Sequence, residues 1–166
     1  IKKVPISQYK NKRVAIDISI LVYQIVISIR NSGTDFINKK GELVSHILGI
    51  FNKTISFLEQ NILPIYVFDG KPPEMKYKLL KSRKVSKLKA YEKMEKAKNN
   101  TEKIKYFKRC VTITRKHMEN CKKLLDLMGI PYINAPEEAD SQCAWLAKEG
   151  LVDAVLTEDM DILTFG

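Results

Sequence analysis

Apolar residues follow two patterns along the chain, short continuous runs and longer segments with helical spacing. Three runs rich in β-branched or aromatic residues predict buried strands at 13–17, 65–69 and 152–157. Apolar residues three or four positions apart predict helices over 44–58, 118–128 and 139–148. Strands that alternate with helices need crossover connections. The pattern therefore predicts an α/β fold in which helices cover both faces of a mostly parallel central sheet.

The size and composition of the chain fit a single domain. It has 166 residues, of which 45% are hydrophobic, which is enough apolar material for one core. The longest apolar stretch, 18–29, is shorter than the roughly 20 residues that span a bilayer, and no secretory leader opens the chain. We therefore expect an intracellular protein with no membrane partner. The three cysteines lack a C-x-x-C spacing, and we interpret His46 and His117 as surface or core residues rather than ligands.

Positive charge is concentrated in one third of the chain. The segment 71–123 contains 19 basic and 5 acidic residues, a local charge of +14, whereas the rest of the chain has a net charge of −4. A helix face that is stabilised by ion pairs needs similar numbers of both signs. A segment with this excess repels itself unless a polyanion neutralises it, so nucleic acid is the predicted partner.

Acidic residues follow all three predicted strands. Asp17 and Asp69 end the first two, and Asp159 and Asp161 follow the third. Each acid alone has an ordinary explanation as a turn residue or a helix cap, and the acids of 137–140 suit the first turn of a helix. Because the carboxyl ends of parallel strands meet at one edge of the sheet, we favour a single shared cause.

The shared cause that fits is the binding of divalent cations. Carboxylates that crowd together without compensation raise one another's pKa, and an all-oxygen site suits Mg²⁺ or Mn²⁺ rather than zinc. Two such ions about 3.5–4 Å apart form the arrangement that hydrolyses phosphodiesters. Glu138 and Asp140 point about 200° apart on a regular helix, so we expect one to bind metal directly and the other through water. An acidic site beside a basic segment predicts a metal-dependent nuclease.

Five motifs also resemble, in order and spacing, those of the flap endonuclease family, the XPG/Rad2-type structure-specific 5′ nucleases of DNA replication and repair. They are VAID at 14–17, YVFDGKPP at 66–73, LMGIPY at 127–132, APEEAD at 135–140 and TEDMD at 157–161. The motifs extend over nearly the whole chain, and FDGKPP together with TEDMD is highly specific. The resemblance implies a PIN-like nuclease fold with a Lys-rich helical arch inserted at about 75–115.

The resemblance also implies a role for each matching residue. The metal ligands, for two Mg²⁺ ions that Mn²⁺ can replace, would be Asp17, Asp69, Glu138, Asp140, Asp159 and Asp161. The basic pair that holds the scissile phosphate would be Lys76 and Arg83. Tyr23 would stack on a base near the cut, although a core tyrosine fits the same pattern equally well. Further contacts with DNA would come from Arg30, Lys108, Arg109, Arg115 and Lys116.

Two departures from the family pattern change the expectation. Asp140 stands where glutamate is more usual, and its shorter side chain would shift a metal distance or admit a water. The family's helix-hairpin-helix element, one further aspartate and the sliding-clamp motif have no counterpart within the 166 residues. We therefore expect an incomplete nuclease core domain that is poorly active alone.

The partners implied by the resemblance are branched DNA with a 5′ flap and a sliding clamp, the latter reached through a C-terminal region outside the chain. The protein would act as a monomer, and in the nucleus if the cell is eukaryotic. Two alternatives stay open. A PIN-type ribonuclease would share the acid-lined sheet but cut single-stranded RNA, and a non-catalytic basic protein would bind nucleic acid without any dependence on Mg²⁺.

Overall fold

The computed structural model describes residues 4–31, 35–73, 76–97, 99–157 and 160–165. Its strands are β1 (Arg13–Asp17), β2 (Leu63–Phe68), β3 (Tyr132–Asn134) and β4 (Ala154–Leu156). Its α-helices are α1 (Ile18–Arg30), α2 (Ser45–Glu59), α3 (Tyr77–Lys96), α4 (Asn100–Arg109), α5 (Arg115–Met128) and α6 (Ala139–Lys148). Short 3-10 segments cover Ile6–Tyr9 and Met160–Phe165.

All strand pairs are parallel, and the strands lie in the order β3-β2-β1-β4. Successive side chains of a strand point to opposite faces of the sheet. Ile16 of β1 and Phe68 of β2 accordingly pack with α1, α2 and α5, whereas their neighbours Ala15 and Val67 pack with α6. The predicted parallel sheet with helices on both faces is confirmed.

The predicted elements are confirmed with small shifts at their ends. The helix predicted over 118–128 begins three residues earlier, at Arg115, and ends as predicted before Gly129, whose φ of 68° suits glycine. The strand predicted over 152–157 is shortened to β4. Sequence periodicity missed β3, because three residues are too few to show a period. Within the segment predicted as a helical insertion, α3 and α4 pack against each other.

The two histidines, far apart in sequence, meet between α2 and α5. The rings of His46 and His117 lie 4.6 Å apart between centroids and are tilted by 42°. Burial lowers the pKa of His46 to about 4, so this side chain is neutral at pH 7 and packs as an aromatic group. The interpretation of His46 as a core residue is confirmed.

None of the helices in the described part of the chain is both long enough and apolar enough to cross a bilayer.

Gly49 allows α2 to approach α1 closely. A Cβ atom at this position would overlap Cγ2 of Ile25 on α1. Alanine is the better helix former by about 1 kcal/mol, yet we expect Gly49→Ala to lower the free energy of unfolding by about 1 kcal/mol net, because overpacking typically costs about 1–3 kcal/mol. Urea denaturation measures this change. Asn52→Ala, an exposed substitution on the same helix, is the control, and a Gly49→Ala variant as stable as the parent would contradict the packing argument.

Candidate functional site

The first acidic residue of the site lies where β1 passes directly into α1. Asp17 is the last residue of β1 and also caps α1: its Oδ1 accepts hydrogen bonds from the backbone N–H groups of Ser19, at 2.7 Å, and Ile20, at 3.2 Å. The residue is only 6% exposed. A loop between the strand and the helix would allow the carboxylate to move into solvent, and here no loop separates them.

Asp69 follows β2, which pairs directly with β1. Its Oδ2 accepts a hydrogen bond of 2.6 Å from the Ser19 hydroxyl, and its Oδ1 accepts one of 3.0 Å from the backbone N–H of Ala139. This carboxylate therefore connects the end of β2 with the N-terminal turns of α1 and α6.

Gly70 brings the start of α6 against the end of β2. Its N–H donates to the carbonyl oxygen of Glu137 at 2.6 Å. A Cβ at Gly70 would overlap the carbonyl oxygens of Ala135 and Pro136, so a larger residue would push the two segments apart. This close approach places the acids at the start of α6 near Asp69.

Glu138 forms an ion pair with Lys76, the residue that precedes α3. The pair joins the two segments that the sequence predicted to share one site. Glu138 and Asp140 both line the same cleft as Asp17 and Asp69. The structure describes the side chains of four of the six predicted acids, and all four line this cleft.

Asp17 has a strongly raised pKa at this edge of the sheet. Burial, and then the nearby carboxylates of Asp69 and Asp140, raise the pKa of Asp17 to about 7, against the lowering effect of the hydrogen bonds from Ile20 and Ser19. The buried thiol of Cys143 beneath the acids has its pKa raised to about 12, first by burial and then by the same carboxylates. Crowded carboxylates in this state favour a bound cation.

The acids line a cleft of about 1250 Å³. The basic segment contributes Lys76, Arg83, Lys87, Arg115 and Lys122 to the lining of the same cleft. A cleft lined by residues of both charges can hold a phosphate group between bound cations and basic side chains.

Tyr23 lies between this cleft and a second groove, and it is 41% exposed. Its exposure excludes the alternative of a core tyrosine. The second groove, between α1 and α4, has an apolar base and a basic rim, and its lining includes Lys105 and the predicted Lys108 and Arg109.

Two predicted DNA contacts are placed elsewhere. The Arg30 side chain is 12% exposed, pairs with both oxygens of Asp35 at 2.8–3.1 Å, and donates to the carbonyl of Phe107 at 2.8 Å. A guanidinium so engaged ties α1 to α4 instead of facing DNA. Lys116 pairs with Glu42 at 2.9 Å and lines a different groove, because it points away from the face that Arg115 and Lys122 share on α5.

The structure does not describe the side chains of the remaining two predicted acids, Asp159 and Asp161. Asp159 lies outside the described residues, and Asp161 is described only through the backbone of the segment Met160–Phe165. Among the side chains that the structure does describe, no three from His, Cys, Asp and Glu form a group that could hold a metal ion.

Two family models match this chain. The XPG N-terminal domain matches residues 1–90, and the XPG I-region matches residues 129–166. The chain belongs to the XPG family. The acids ending β1 and β2 fall in the first match, and those of α6 fall in the second, so the cleft joins the two XPG regions.

Individual XPG-family relatives match over the full chain. Flap endonuclease 1 of Nematostella vectensis is 47% identical over 169 aligned positions, which cover 100% of this chain and 45% of the relative. Flap endonuclease 1-B of Xenopus laevis is 48% identical, covering 100% and 44%. The chain therefore spans less than half the length of these curated relatives.

Solved structures give the same result for the fold. The flap endonuclease-1 from Methanococcus jannaschii superposes with a TM-score of 0.72 at 45% identity, covering 98% of this chain and 53% of that one. The catalytic core of Rad2 in complex with a DNA substrate superposes with a TM-score of 0.65 at 28% identity, covering 98% and 41%.

The sequence analysis did not single out Lys87, Lys122 or Ser19. Lys87 and Lys122 line the cleft with the other basic residues, and the Ser19 hydroxyl donates a hydrogen bond to Asp69. Helical spacing could have found the two lysines, since Lys87 is four residues from Arg83 and Lys122 is seven from Arg115. No sequence signal indicates the bond between Ser19 and Asp69, because the two residues are 50 positions apart.

Removing the charge of Asp17 should stabilise the metal-free protein. The folded-state pKa of about 7 lies above the ordinary value of 3.8, so the stability contributed by the protonated form is lost as the pH rises through about 7. We expect Asp17→Asn, which still accepts the two cap bonds, to raise the free energy of unfolding at pH 8 by on the order of 2 kcal/mol. Thermal unfolding in a chelator measures the gain.

The gain from Asp17→Asn should shrink towards pH 5, where the native aspartate is itself protonated. Asp126→Asn, the same change at an exposed position of α5, is the control. A loss of stability at pH 8 on Asp17→Asn would show that the charged cap outweighs the crowding.

Proposed function

We propose that this chain is the nuclease part of a structure-specific 5′ nuclease, which hydrolyses a phosphodiester at the base of a 5′ flap in DNA with the help of two divalent cations. The relatives named above are flap endonucleases, and the Rad2 core binds a DNA substrate in its solved complex. The proposal extends these properties to a chain that shares the family and the fold.

One observation carries the proposal: acidic and basic residues that are distant in sequence line a single cleft. The acids stand at the carboxyl end of a parallel sheet, where ligands of such sheets bind. Basic side chains on α3 and α5 suit the phosphates of a nucleic acid. Contacts with the phosphate backbone supply much of the energy with which basic proteins bind nucleic acid. A non-catalytic binding protein would have no use for the crowded carboxylates.

The chemistry of the donor set fits Mg²⁺, with Mn²⁺ as a substitute. The side chains of Asp17, Asp69, Glu138 and Asp140 supply oxygen atoms only, which hard divalent cations prefer. Burial, and then the neighbouring carboxylates, raise the pKa of Asp17, and a bound cation would favour its charged form. We include Asp159 and Asp161 in the proposed ligand set on the family motif alone. When bound, two such ions make a water molecule more acidic and stabilise charge on the leaving oxygen.

The remaining residues of the cleft have binding and orienting roles in this proposal. Arg83 and Lys76 hold the scissile phosphate, Arg83 through its two-pronged guanidinium. Lys76 exchanges its ion pair with Glu138 for the phosphate when DNA enters. Tyr23, exposed between the two grooves, offers an aromatic face on which a base stacks.

Further contacts with the DNA backbone come from Lys108, Arg109 and Arg115 in this proposal, and Arg30 acts indirectly by holding α4 against α1. We propose a single nuclease core domain over 1–166, with the basic insertion at about 75–115 as its cap. The family relationship extends the proposal to a monomer that binds a sliding clamp through a region outside this chain. It would act inside the cell, and in the nucleus if the cell is eukaryotic.

Divalent cations should stabilise the folded chain. A ligand that binds only the folded state raises stability by mass action, by roughly 1.4 kcal/mol at ten times its Kd. We expect the Tm to rise with Mg²⁺ or Mn²⁺ concentration in differential scanning fluorimetry, and the rise to vanish in the double variant Asp17→Asn, Asp69→Asn. KCl at equal ionic strength is the control. A Tm that responds equally to K⁺ would contradict a specific cation site.

Arg83→Ala should reduce cleavage much more than binding. A scissile phosphate misplaced by about 1 Å can cost roughly 100-fold in rate, whereas one lost phosphate contact changes affinity only modestly. Single-turnover assays with protein in excess over a 5′ flap DNA, paired with fluorescence anisotropy, measure the two effects. Lys148→Ala, at an exposed position at the end of α6, is the control for loss of one positive charge.

The same assay separates the alternative functions. A nicked duplex and an RNA hairpin, each with Mg²⁺ or with EDTA, run beside the flap DNA. Cleavage of the RNA alone would favour a ribonuclease. Binding of all three substrates without Mg²⁺-dependent cleavage, at any protein concentration, would leave a non-catalytic binding protein as the better account.

A further inference from the structure

Ser19 connects two carboxylates that belong to neighbouring strands. Its backbone N–H donates to Oδ1 of Asp17 at 2.7 Å, and its hydroxyl donates to Oδ2 of Asp69 at 2.6 Å. The two acids stand at the ends of β1 and β2, which pair in register. A single residue in the first turn of α1 therefore sets the position of one acid through its backbone and of the other through its side chain.

The second oxygen of Asp69 is held from a different direction. The backbone N–H of Ala139, at the start of α6, donates to Oδ1 at 3.0 Å. One donor alone would leave the carboxylate free to rotate about that bond. Two donors on two oxygens fix both its rotamer and its plane, and of these two donors only the Ser19 hydroxyl belongs to a side chain.

Fixing the plane of Asp69 matters because Asp17 repels it. The carboxylates of Asp69 and Asp140 both act on Asp17 at short range, so without restraint Asp69 would turn away from its neighbours. Each oxygen of a carboxylate has two lone-pair directions. A hydrogen bond from Ser19 uses one direction of Oδ2 and leaves the other for a ligand.

We propose that Ser19 is a positioning residue, which holds the Asp69 carboxylate beside that of Asp17 in the orientation that a divalent cation requires. This inference rests on the proposed function, since it assumes that the acids bind a cation. Residues that hydrogen-bond to metal ligands typically contribute 10–100-fold to metal affinity. Ser19 itself faces the cleft and acts on the cation through Asp69.

The test is the affinity of the chain for Mn²⁺ alone, measured by electron paramagnetic resonance of free Mn²⁺ and by calorimetry. We expect Ser19→Ala to weaken Mn²⁺ binding by about tenfold or more, and Ser19→Thr, which retains the hydroxyl, to restore most of the affinity. Ser56→Ala, which removes a hydroxyl from α2 that bonds Gln60, is the matched control. Tm values measured without cation separate folding effects from binding effects.

A purely structural hydroxyl gives a different result. Ser19→Ala would then change the Tm but leave the Mn²⁺ affinity equal to that of the parent, which would overturn the inference while leaving the proposed function intact. Failure of the parent chain to bind Mn²⁺ would overturn the proposed function and this inference with it. In cleavage assays, the half-saturating Mg²⁺ concentration should rise about tenfold in Ser19→Ala, with the rate recovering at high Mg²⁺; an unrecovered rate would also contradict positioning.

Discussion

Repulsion between carboxylates at the ends of adjacent parallel strands is the constraint on which the site depends. The register of β1 and β2 pairs Asp17 with Val67, so that Asp69, two residues further on, stands at the same end of the sheet. The absence of a loop between β1 and α1 keeps Asp17 buried. Helix N-termini reduce this cost, since the N–H groups of Ser19, Ile20 and Ala139 all donate to the two acids. Burial, and then the neighbouring carboxylates, still raise the pKa of Asp17 to about 7. Perturbed acids of this kind cluster at functional sites.

Basic residues line the same cleft as the acids. Arg83 and Lys87 belong to α3, and Arg115 and Lys122 belong to α5. Lys76, which precedes α3, pairs directly with Glu138. The positive charge attracts a polyanion into the cleft, and the acids repel its phosphates unless cations are bound. Charge separation of this type orients a nucleic acid as well as attracting it.

Two glycines allow segments of the chain to approach each other closely. Gly49 lets α2 pack on α1, and Gly70 lets the start of α6 reach the end of β2, in each case because no Cβ occupies the contact. Arg30 supplies the polar counterpart: its bonds to Asp35 and Phe107 satisfy a guanidinium that is mostly removed from water. A buried arginine without such partners would be costly. The Arg30 contacts hold α4 against α1, the helix that carries Tyr23.

The sequence by itself determined three of the strands, three of the helices and the chemistry of the residues that follow the strands. Buried parallel strands are continuous apolar runs, so the acids that end them at Asp17 and Asp69 were visible, as were the helices of period 3.6 and the basic segment. The motifs added Glu138 and Asp140, which the structure brings to the same cleft.

Only the tertiary structure decided which side chains face one another. Periodicity reports that a helix face is buried or exposed, but not which neighbour lies opposite, so Arg30 and Lys116 could not be told apart from Arg83 and Arg115 before the helices were placed. For the same reason the bond from Ser19 to Asp69, across 50 positions of sequence, depends on the pairing of β1 with β2, which no local pattern encodes.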